Sequence, residues 1–190
     1  MFWIILSSMK TLGRKLLQPI LSSVDLKLRG RNEHRDLIVC GGGALLILDI
    51  IDRQTRDIDV IAPELDPILN EIAIEVGKEF GLESGWLNNG PASLSRDLEV
   101  GWRDRVQLIF EGSHLKIHSL SNRDLLASKL FAYCDRDEDD LSDILKMSPS
   151  VAEVESLKSW VLERDGSQYW PARVEKCFKK LIERLTNAKE

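Results

Sequence analysis

The sequence is poor in cysteine and in aromatic residues, and it lacks any long apolar run. Its three cysteines, Cys40, Cys134 and Cys177, are odd in number and far apart, so we expect buried thiols in a reducing cytoplasm rather than disulfides or a zinc site. The apolar run in the opening "MFWIILSSM" is shorter than the core of a signal peptide and too short to span a membrane, and Met9 is an alternative start to Met1. Repeats and low-complexity tracts are also absent. These absences argue against a secreted disulfide scaffold, a membrane protein and a repeat protein.

What remains is the composition of an ordinary globular protein. Apolar residues make up 43% and charged residues 30% of 190 residues, which suffices for one core or for one core with a helical annex. The net charge of −5 provides no overall attraction to nucleic acids. Evidence on function must therefore come from local motifs.

Hydrophobic periodicity predicts an α+β protein with an α/β-like N-terminal half. We expect an N-terminal helical segment over 1–31, an α/β core over 32–120 and a helical region over 121–190. Residues 84–104 show no period and predict a long loop or lid. The predicted elements, in chain order, are a helix over 10–31, a strand over 36–40, a helix over 44–51, a strand over 57–62, a helix over 66–80, a hairpin over 105–120 and helices starting near 122, 138, 150 and 170.

Three consecutive glycines, Gly41, Gly42 and Gly43, lie between the first predicted strand and a helix. Backbone N–H groups converge at such a turn and the helix dipole favours an anion, so a phosphate site is physically sensible. However, the Lys of a P-loop is missing, and Leu46 stands where a dinucleotide-binding fingerprint needs Gly or Ala. Taken alone, the glycines favour a tight turn that lets a helix pack on a sheet.

Asp57 and Asp59 are two residues apart in a predicted strand, so both carboxylates project from the same face. Two carboxylates at such a short distance repel each other unless a cation lies between them. Mg²⁺ is the usual partner of such oxygen ligands. Solvated acids at a strand edge are the simpler interpretation of either residue alone. That interpretation weakens for a pair placed one short helix after a glycine turn.

The stretch "CGGGALLILDIIDRQTRDIDVIAP" resembles the core motif of the DNA polymerase β-like nucleotidyltransferases. It is especially similar to the bacterial AbiEii/AbiGii toxin-type branch, in which a Gly-Gly-Ala turn precedes an Arg-x-Thr-x-Asp-Ile-Asp run. The residues that carry this match are Gly42, Gly43, Ala44, Arg53, Thr55, Asp57, Ile58 and Asp59.

A second stretch, "LSNRDLLASKLFAYCDRDEDDLSDIL", resembles the downstream helices of the same family. There an Asp-Leu-Leu-x-x-Lys-Leu helix precedes an Arg and an Asp-Leu-x-Asp pair. The matching residues are Asp124, Leu125, Leu126, Lys129, Leu130, Arg136, Asp140 and Asp143. With this second match, the resemblance covers most of residues 36–147.

Lys129 falls on the apolar face of its predicted helix, where a Lys either extends its ammonium group to solvent or has an anionic partner. Extension to solvent is the commoner case, but contact with nucleotide phosphates is a real alternative here. Asp140 and Asp143 share one helix face and could orient Lys129 or Arg136, or one of them could act as a base. A solvated acidic turn is an equally good interpretation of these two acids.

The resemblance implies a small mixed-sheet nucleotidyltransferase domain followed by a C-terminal helical bundle that closes over the site. It implies Mg²⁺-dependent transfer of a nucleoside monophosphate from an NTP to a hydroxyl acceptor on tRNA or a protein, in a toxin with a cognate antitoxin. Asp57 and Asp59 would hold one or two Mg²⁺ ions, with Lys129 as a further catalytic residue. Thr55 would also stabilise the turn into the strand. The residues implied to bind the nucleotide are Gly41, Gly42, Gly43, Arg53, Thr55 and Lys129. Arg136, Asp140 and Asp143 are implied as supporting residues of the same site.

Two positions depart from the family pattern. The superfamily usually adds a third carboxylate from a later strand, for which Glu111 is a weak candidate, and Asp139 stands where related sequences have Lys. A second hypothesis is therefore a degenerate member that binds nucleotide or a partner protein without turnover. His114 and His118 receive no role, because residues i and i+4 of a strand lie ~13 Å apart.

Overall fold

The computed structural model describes residues 10–136 and 138–187, which fall into two compact units. The first unit runs to Ala92 and takes in Leu108–Ser119 as well. The second comprises Ser93–Gln107 and the chain from Leu120 onward. The glycine turn and the paired aspartates thus belong to the first unit, and Lys129 belongs to the second.

A mixed sheet organises the first unit. In the described part of the chain it has five strands in the order β3-β2-β1-β5-β4. Strand β1 is antiparallel to β2 and parallel to β5, while β3 is parallel to β2. The strands are β1 (Arg35–Cys40), β2 (Ile58–Ala62), β3 (Leu87–Asn88), β4 (Gln107–Glu111) and β5 (Leu115–Ser119).

Three helices pack with this sheet: α1 (Arg14–Gly30), α2 (Gly41–Ile47) and α3 (Pro67–Phe80). The start and end of α3 follow directly from the sequence. The Asp66 carboxylate accepts hydrogen bonds from the backbone N–H groups of Ile68 and Leu69, and Pro67 occupies the first helical position. Gly81 ends the helix in the left-handed conformation, with φ of 72°.

The two faces of the sheet differ in character because side chains alternate along each strand. Ile58 and Val60 are fully buried, and Ile58 lies against Gly43 of α2, so their face of β2 is the one that α2 covers. Asp59 therefore projects from the opposite face. On the same face, His118 of β5 lies 2.9 Å (Nε2) from the carboxylate of Asp36 on β1.

The second unit is helical apart from its first segment. That segment holds the short helix α4 (Leu94–Asp97) and a 3₁₀ turn over Trp102–Arg105. The later helices are α5 (Asn122–Asp135), α6 (Glu138–Met147), α7 (Val151–Ser156), α8 (Lys158–Leu162) and α9 (Trp170–Asn187). Their core is built around Leu130, Ile144, Trp170 and Phe178, all of which are buried.

The predicted α+β class is confirmed, and most elements lie within a few residues of their predicted bounds. Helix α2 begins at Gly41, three residues before the predicted start at Ala44, so the glycines form its first turn. The predicted loop over 84–104 contains β3, α4 and the 3₁₀ turn. Within the described ranges, no helix combines the length and the apolar character that crossing a bilayer requires.

Asp25 of α1 fixes the turn between β4 and β5. Its carboxylate accepts hydrogen bonds from the backbone N–H groups of His114 (2.6 Å) and Leu115 (2.8 Å) and from the Ser113 hydroxyl (3.0 Å). Burial alone would raise the pKa of Asp25, but these hydrogen bonds together outweigh it and hold the pKa below its ordinary value. The charged carboxylate therefore stabilises the folded state.

Asp25→Asn is expected to lower the free energy of unfolding by about 1–2 kcal/mol at pH 7, because the charge-assisted part of these hydrogen bonds is lost. Since the folded pKa lies below the unfolded value of 3.8, the effect should be complete above that pH and disappear as pH falls through the folded pKa. Urea unfolding of both proteins at pH 7, 5 and 3 measures this. A difference that stays constant down to pH 3 would contradict the argument.

Candidate functional site

The first glycine of the turn lies directly against Asp59. Gly41 has φ of +69°, a conformation that favours glycine, and a Cβ atom built on it would lie 2.7 Å from Oδ2 of Asp59. The registers of β1 and β2 explain this proximity, since Cys40, the residue before the turn, pairs with Asp59. The glycine turn and the second aspartate are thus one structural feature, although 18 positions separate them in the sequence numbering.

The second glycine faces Arg53 and Thr55. A Cβ on Gly42 would lie 3.3 Å from Nη2 of Arg53 and 3.3 Å from Oγ1 of Thr55. Arg53 is exposed, whereas Thr55 is buried, and its backbone exchanges two hydrogen bonds with that of Leu12. Thr55 is therefore held rigidly beside the turn, and Arg53 places a guanidinium next to it.

The third glycine serves packing. A Cβ on Gly43 would lie 2.9 Å from the carbonyl oxygen of Asp57 and 3.0 Å from Cα of Ile58. Both are backbone atoms, so no side-chain rotation can relieve the contact. Gly43 therefore lets α2 lie directly on the start of β2 and fixes the position of the aspartates relative to the turn.

Gly43→Ala is expected to destabilise the protein by about 3 kcal/mol, because helix and strand must move apart. Gly30→Ala is the matched control, since a Cβ there meets no atom within 4 Å and alanine suits a helix. Thermal or urea unfolding of both variants provides the measurement. Equal stability of the two variants would show that the contact between α2 and β2 is not as tight as the structure has it.

Asp57 and Asp59 flank the buried Ile58, one just before β2 and one inside it. Both aspartates are half-buried, so they are accessible from solvent. Asp59 projects from the sheet face opposite the one that α2 covers, and the spacing predicts the same face for Asp57, which precedes the strand. A pair of hard oxygen ligands suits a divalent cation such as Mg²⁺, and the residues present fit that ion.

Glu111, the candidate third carboxylate, lies at the other end of the sheet. It precedes the turn into Leu115, which pairs with Arg35 at the start of β1, whereas Asp59 pairs with Cys40 at its end. Five residues of strand correspond to ~16 Å, and the three strand spacings from β2 through β1 and β5 to β4 add to this separation. Glu111 is exposed and its carboxylate lies 2.8 Å from Lys116, a hydrogen bond that lowers the pKa of Glu111. This geometry separates Glu111 from the paired aspartates, and we leave it out of the proposed site.

On the side of Asp59 away from β1 lies Asn88, which no sequence pattern indicated. Strand β3 pairs with β2 in parallel, and Asn88 is the register partner of Asp59. Among the described residues, no group of three or more His, Cys, Asp or Glu side chains is arranged to hold a metal ion. An amide oxygen is a further type of oxygen ligand that a hard divalent cation accepts.

Lys129 is buried in the second unit between two carboxylates. Its Nζ lies 2.7 Å from Oδ1 of Asp140 and 2.7 Å from Oδ2 of Asp143, and Asp143 is only 1% exposed. The interpretation that Asp140 and Asp143 orient Lys129 agrees with this geometry. Arg136 is exposed, with its Nε 3.9 Å from Asp135, and the Asp139 side chain lies outside the described part. The predicted contact of Lys129 with a nucleotide stays a prediction.

The structure has the glycine turn at the end of β1 beside Asp59 of β2, two features that the sequence resemblance to nucleotidyltransferases includes. The model of one protein family, described as a nucleotidyltransferase of unknown function (DUF6036), matches residues 15–181. The chain therefore belongs to this family. No curated protein and no solved structure matches the chain.

Proposed function

We propose that the protein transfers a nucleoside monophosphate from an NTP to a hydroxyl group of tRNA or of a protein, and that it belongs to the AbiEii/AbiGii toxin-type branch. The observation that supports this best is the contact between Gly41 and the Asp59 carboxylate, with Arg53 beside Gly42. It combines a small-residue turn, a guanidinium and two acids within one unit. In the reaction, the acceptor oxygen forms a bond to the α-phosphorus, the bond from the α-phosphorus to the bridging oxygen breaks to release pyrophosphate, and the proton of the acceptor hydroxyl passes to solvent.

Each residue of the turn has a distinct part in this proposal. Gly41 and Gly42 allow the triphosphate to approach the backbone, since side chains there would fill the space next to Asp59, Arg53 and Thr55. Arg53 neutralises phosphate charge, and its guanidinium suits two phosphate oxygens at once. Thr55 keeps the segment before the aspartates in place through its backbone pairing with Leu12.

Asp57 and Asp59 would hold Mg²⁺. Bound there, the ion would supply Lewis-acid stabilisation of the charge that develops on the phosphates. The two carboxylates are formally −2, which matches one Mg²⁺ and leaves a second ion dependent on the phosphates of the substrate. Lys129 would contribute phosphate binding only if a phosphate competed with Asp140 and Asp143 for its ammonium group.

The test is incubation of the purified protein with Mg²⁺, each α-labelled NTP and either total tRNA or cell extract. We expect label transfer to one class of acceptor, loss of transfer in excess EDTA, and loss in Asp57→Ala and Asp59→Ala. Transfer that survives both substitutions would eliminate the metal assignment. Treatment of the labelled acceptor with ribonuclease or protease then identifies it. Label lost only with ribonuclease indicates an RNA acceptor, and label lost only with protease indicates a protein acceptor.

A second candidate is a nucleotide-binding or protein-interaction module of the same fold without turnover. The observation that favours it is the neutral Asn88 in the position beside Asp59, where an acid would complete a three-carboxylate site. Its signature is Mg²⁺-dependent NTP binding, lost in Asp59→Ala, together with no transfer of label from any of the four NTPs. Label transfer by the wild-type protein rejects it.

A further inference from the structure

Strand β3 has only two residues, and they face opposite sides of the sheet. Leu87 is 6% exposed and pairs with the buried Ile58, whereas Asn88 is half-buried and pairs with Asp59. Register partners in adjacent strands point to the same face and lie about 5 Å apart. Asn88 and Asp59 therefore project side by side from the face opposite α2.

The Asn88 amide is held in a defined orientation. Its Oδ1 accepts a hydrogen bond of 2.6 Å from the Gly90 backbone N–H, and its Nδ2 donates one of 3.2 Å to the carbonyl oxygen of Gly85. An amide oxygen has two lone pairs, so Oδ1 retains acceptor capacity after the bond from Gly90. Fixed carbonyl-type oxygens are ordinary ligands of hard divalent cations.

We propose that Asn88 is the third oxygen ligand of the cation held by Asp57 and Asp59. This inference rests on the proposed function. With two carboxylates and one amide the ligand charge is −2, which one divalent ion neutralises.

Asn88→Asp tests the inference because it adds one charge with little change in shape. The carboxylate can still accept the hydrogen bond from Gly90, whereas the hydrogen bond that Nδ2 donates to the carbonyl oxygen of Gly85 is lost. We expect the variant to bind Mn²⁺ about tenfold more tightly than the wild type, since a third carboxylate about 5 Å from Asp59 attracts the ion directly. Mn²⁺ titration followed by electron paramagnetic resonance measures this, with and without α,β-methylene-ATP, an analogue that cannot be cleaved between the α- and β-phosphates.

The matched control is Asn70→Asp, the same change on α3, where the Asn70 amide donates to the carbonyl oxygen of Leu65. It should leave Mn²⁺ affinity within about twofold of the wild type. Asn88→Ala, which removes the amide oxygen, should weaken Mn²⁺ binding about three- to tenfold and provides a second readout if Asn88→Asp is unstable.

The outcomes separate this inference from the function on which it rests. If Asp59→Asn abolishes Mn²⁺ binding while Asn88→Asp and Asn88→Ala both match the wild type, Asn88 is not a ligand and the inference is overturned, but the proposed function stands. If Asp59→Asn binds Mn²⁺ as tightly as the wild type, the cation assignment fails, and the inference fails with it. Tighter binding in Asn88→Asp together with unchanged binding in Asn70→Asp supports both.

Discussion

Asp59→Asn is expected to lower nucleotidyl transfer about a thousandfold or more without unfolding the protein. The substitution keeps the shape of the side chain beside Gly41, so packing of the turn changes little. It removes one of the two charges that hold the cation, and cation stabilisation of phosphoryl transfer amounts to several kcal/mol, each 1.4 kcal/mol being about tenfold in rate. Single-turnover transfer of label from an α-labelled NTP, alongside a thermal melt, measures both effects.

Asp36→Asn is the matched control for that experiment. Asp36 projects from the same sheet face but lies near the start of β1, where its carboxylate meets His118 rather than the glycine turn. Its substitution should leave the transfer rate within about twofold of the wild type, because a solvent-exposed charge at that separation is strongly screened. If Asp59→Asn retained more than a tenth of the wild-type rate, the assignment of Asp59 as a cation ligand would be wrong.

The parts of the fold that the sequence predicted well are those fixed by local chemistry. Helix α3 is bounded by Asp66, Pro67 and Gly81, residues whose capping behaviour depends only on their near neighbours. Ser150 and Glu153 likewise form the predicted capping box, with each side chain bonded to the other's backbone N–H. The spacing of Asp57 and Asp59 predicts a shared face, and for Asp57, which precedes β2, this stays a prediction.

The parts that the sequence could not predict depend on which segments become neighbours. Strand β3 has two residues, too few to show a period, and it exists because it pairs with β2. Only the strand order shows that Asn88 lies beside Asp59 and that Glu111 lies at the opposite end of the sheet. The glycines were interpretable as a tight turn, but the individual reasons for Gly41, Gly42 and Gly43 lie in atoms contributed by residues 53–59.

For Lys129, the sequence indicated that the side chain needs a partner or solvent, but it did not indicate which. Its place on an apolar helix face indicated that the ammonium group needs either a route to solvent or an anion. The structure supplies two anions, Asp140 and Asp143, from α6, which packs against α5. The pattern had left solvation, phosphate contact and carboxylate contact open, because the choice depends on how the two helices pack.

Lys129→Met is expected to destabilise the protein by about 3–5 kcal/mol, the cost of leaving a buried charge without its partner. Asp143 is 1% exposed and the Asp140 side chain 17%, so neither carboxylate can regain full hydration after the change. Lys158→Met is the control in the same unit. Lys158 pairs with Glu175 at the surface, where an ion pair contributes about 1 kcal/mol or less. Urea unfolding of both variants measures the difference.

The double variant Lys129→Met with Asp143→Asn separates a structural ion pair from a role in phosphate binding. Removing Lys129 together with its more deeply buried partner should restore part of the stability that Lys129→Met loses, because the penalty arises from the unpaired carboxylates, of which only Asp140 remains, and not from the absent ammonium group. If Lys129 also binds phosphate, the stabilised double variant will still show a raised KM for the NTP. Recovery of stability in the double variant with an unchanged KM would assign Lys129 to folding alone. A Lys129→Met variant as stable as Lys158→Met would contradict the buried position of Lys129 itself.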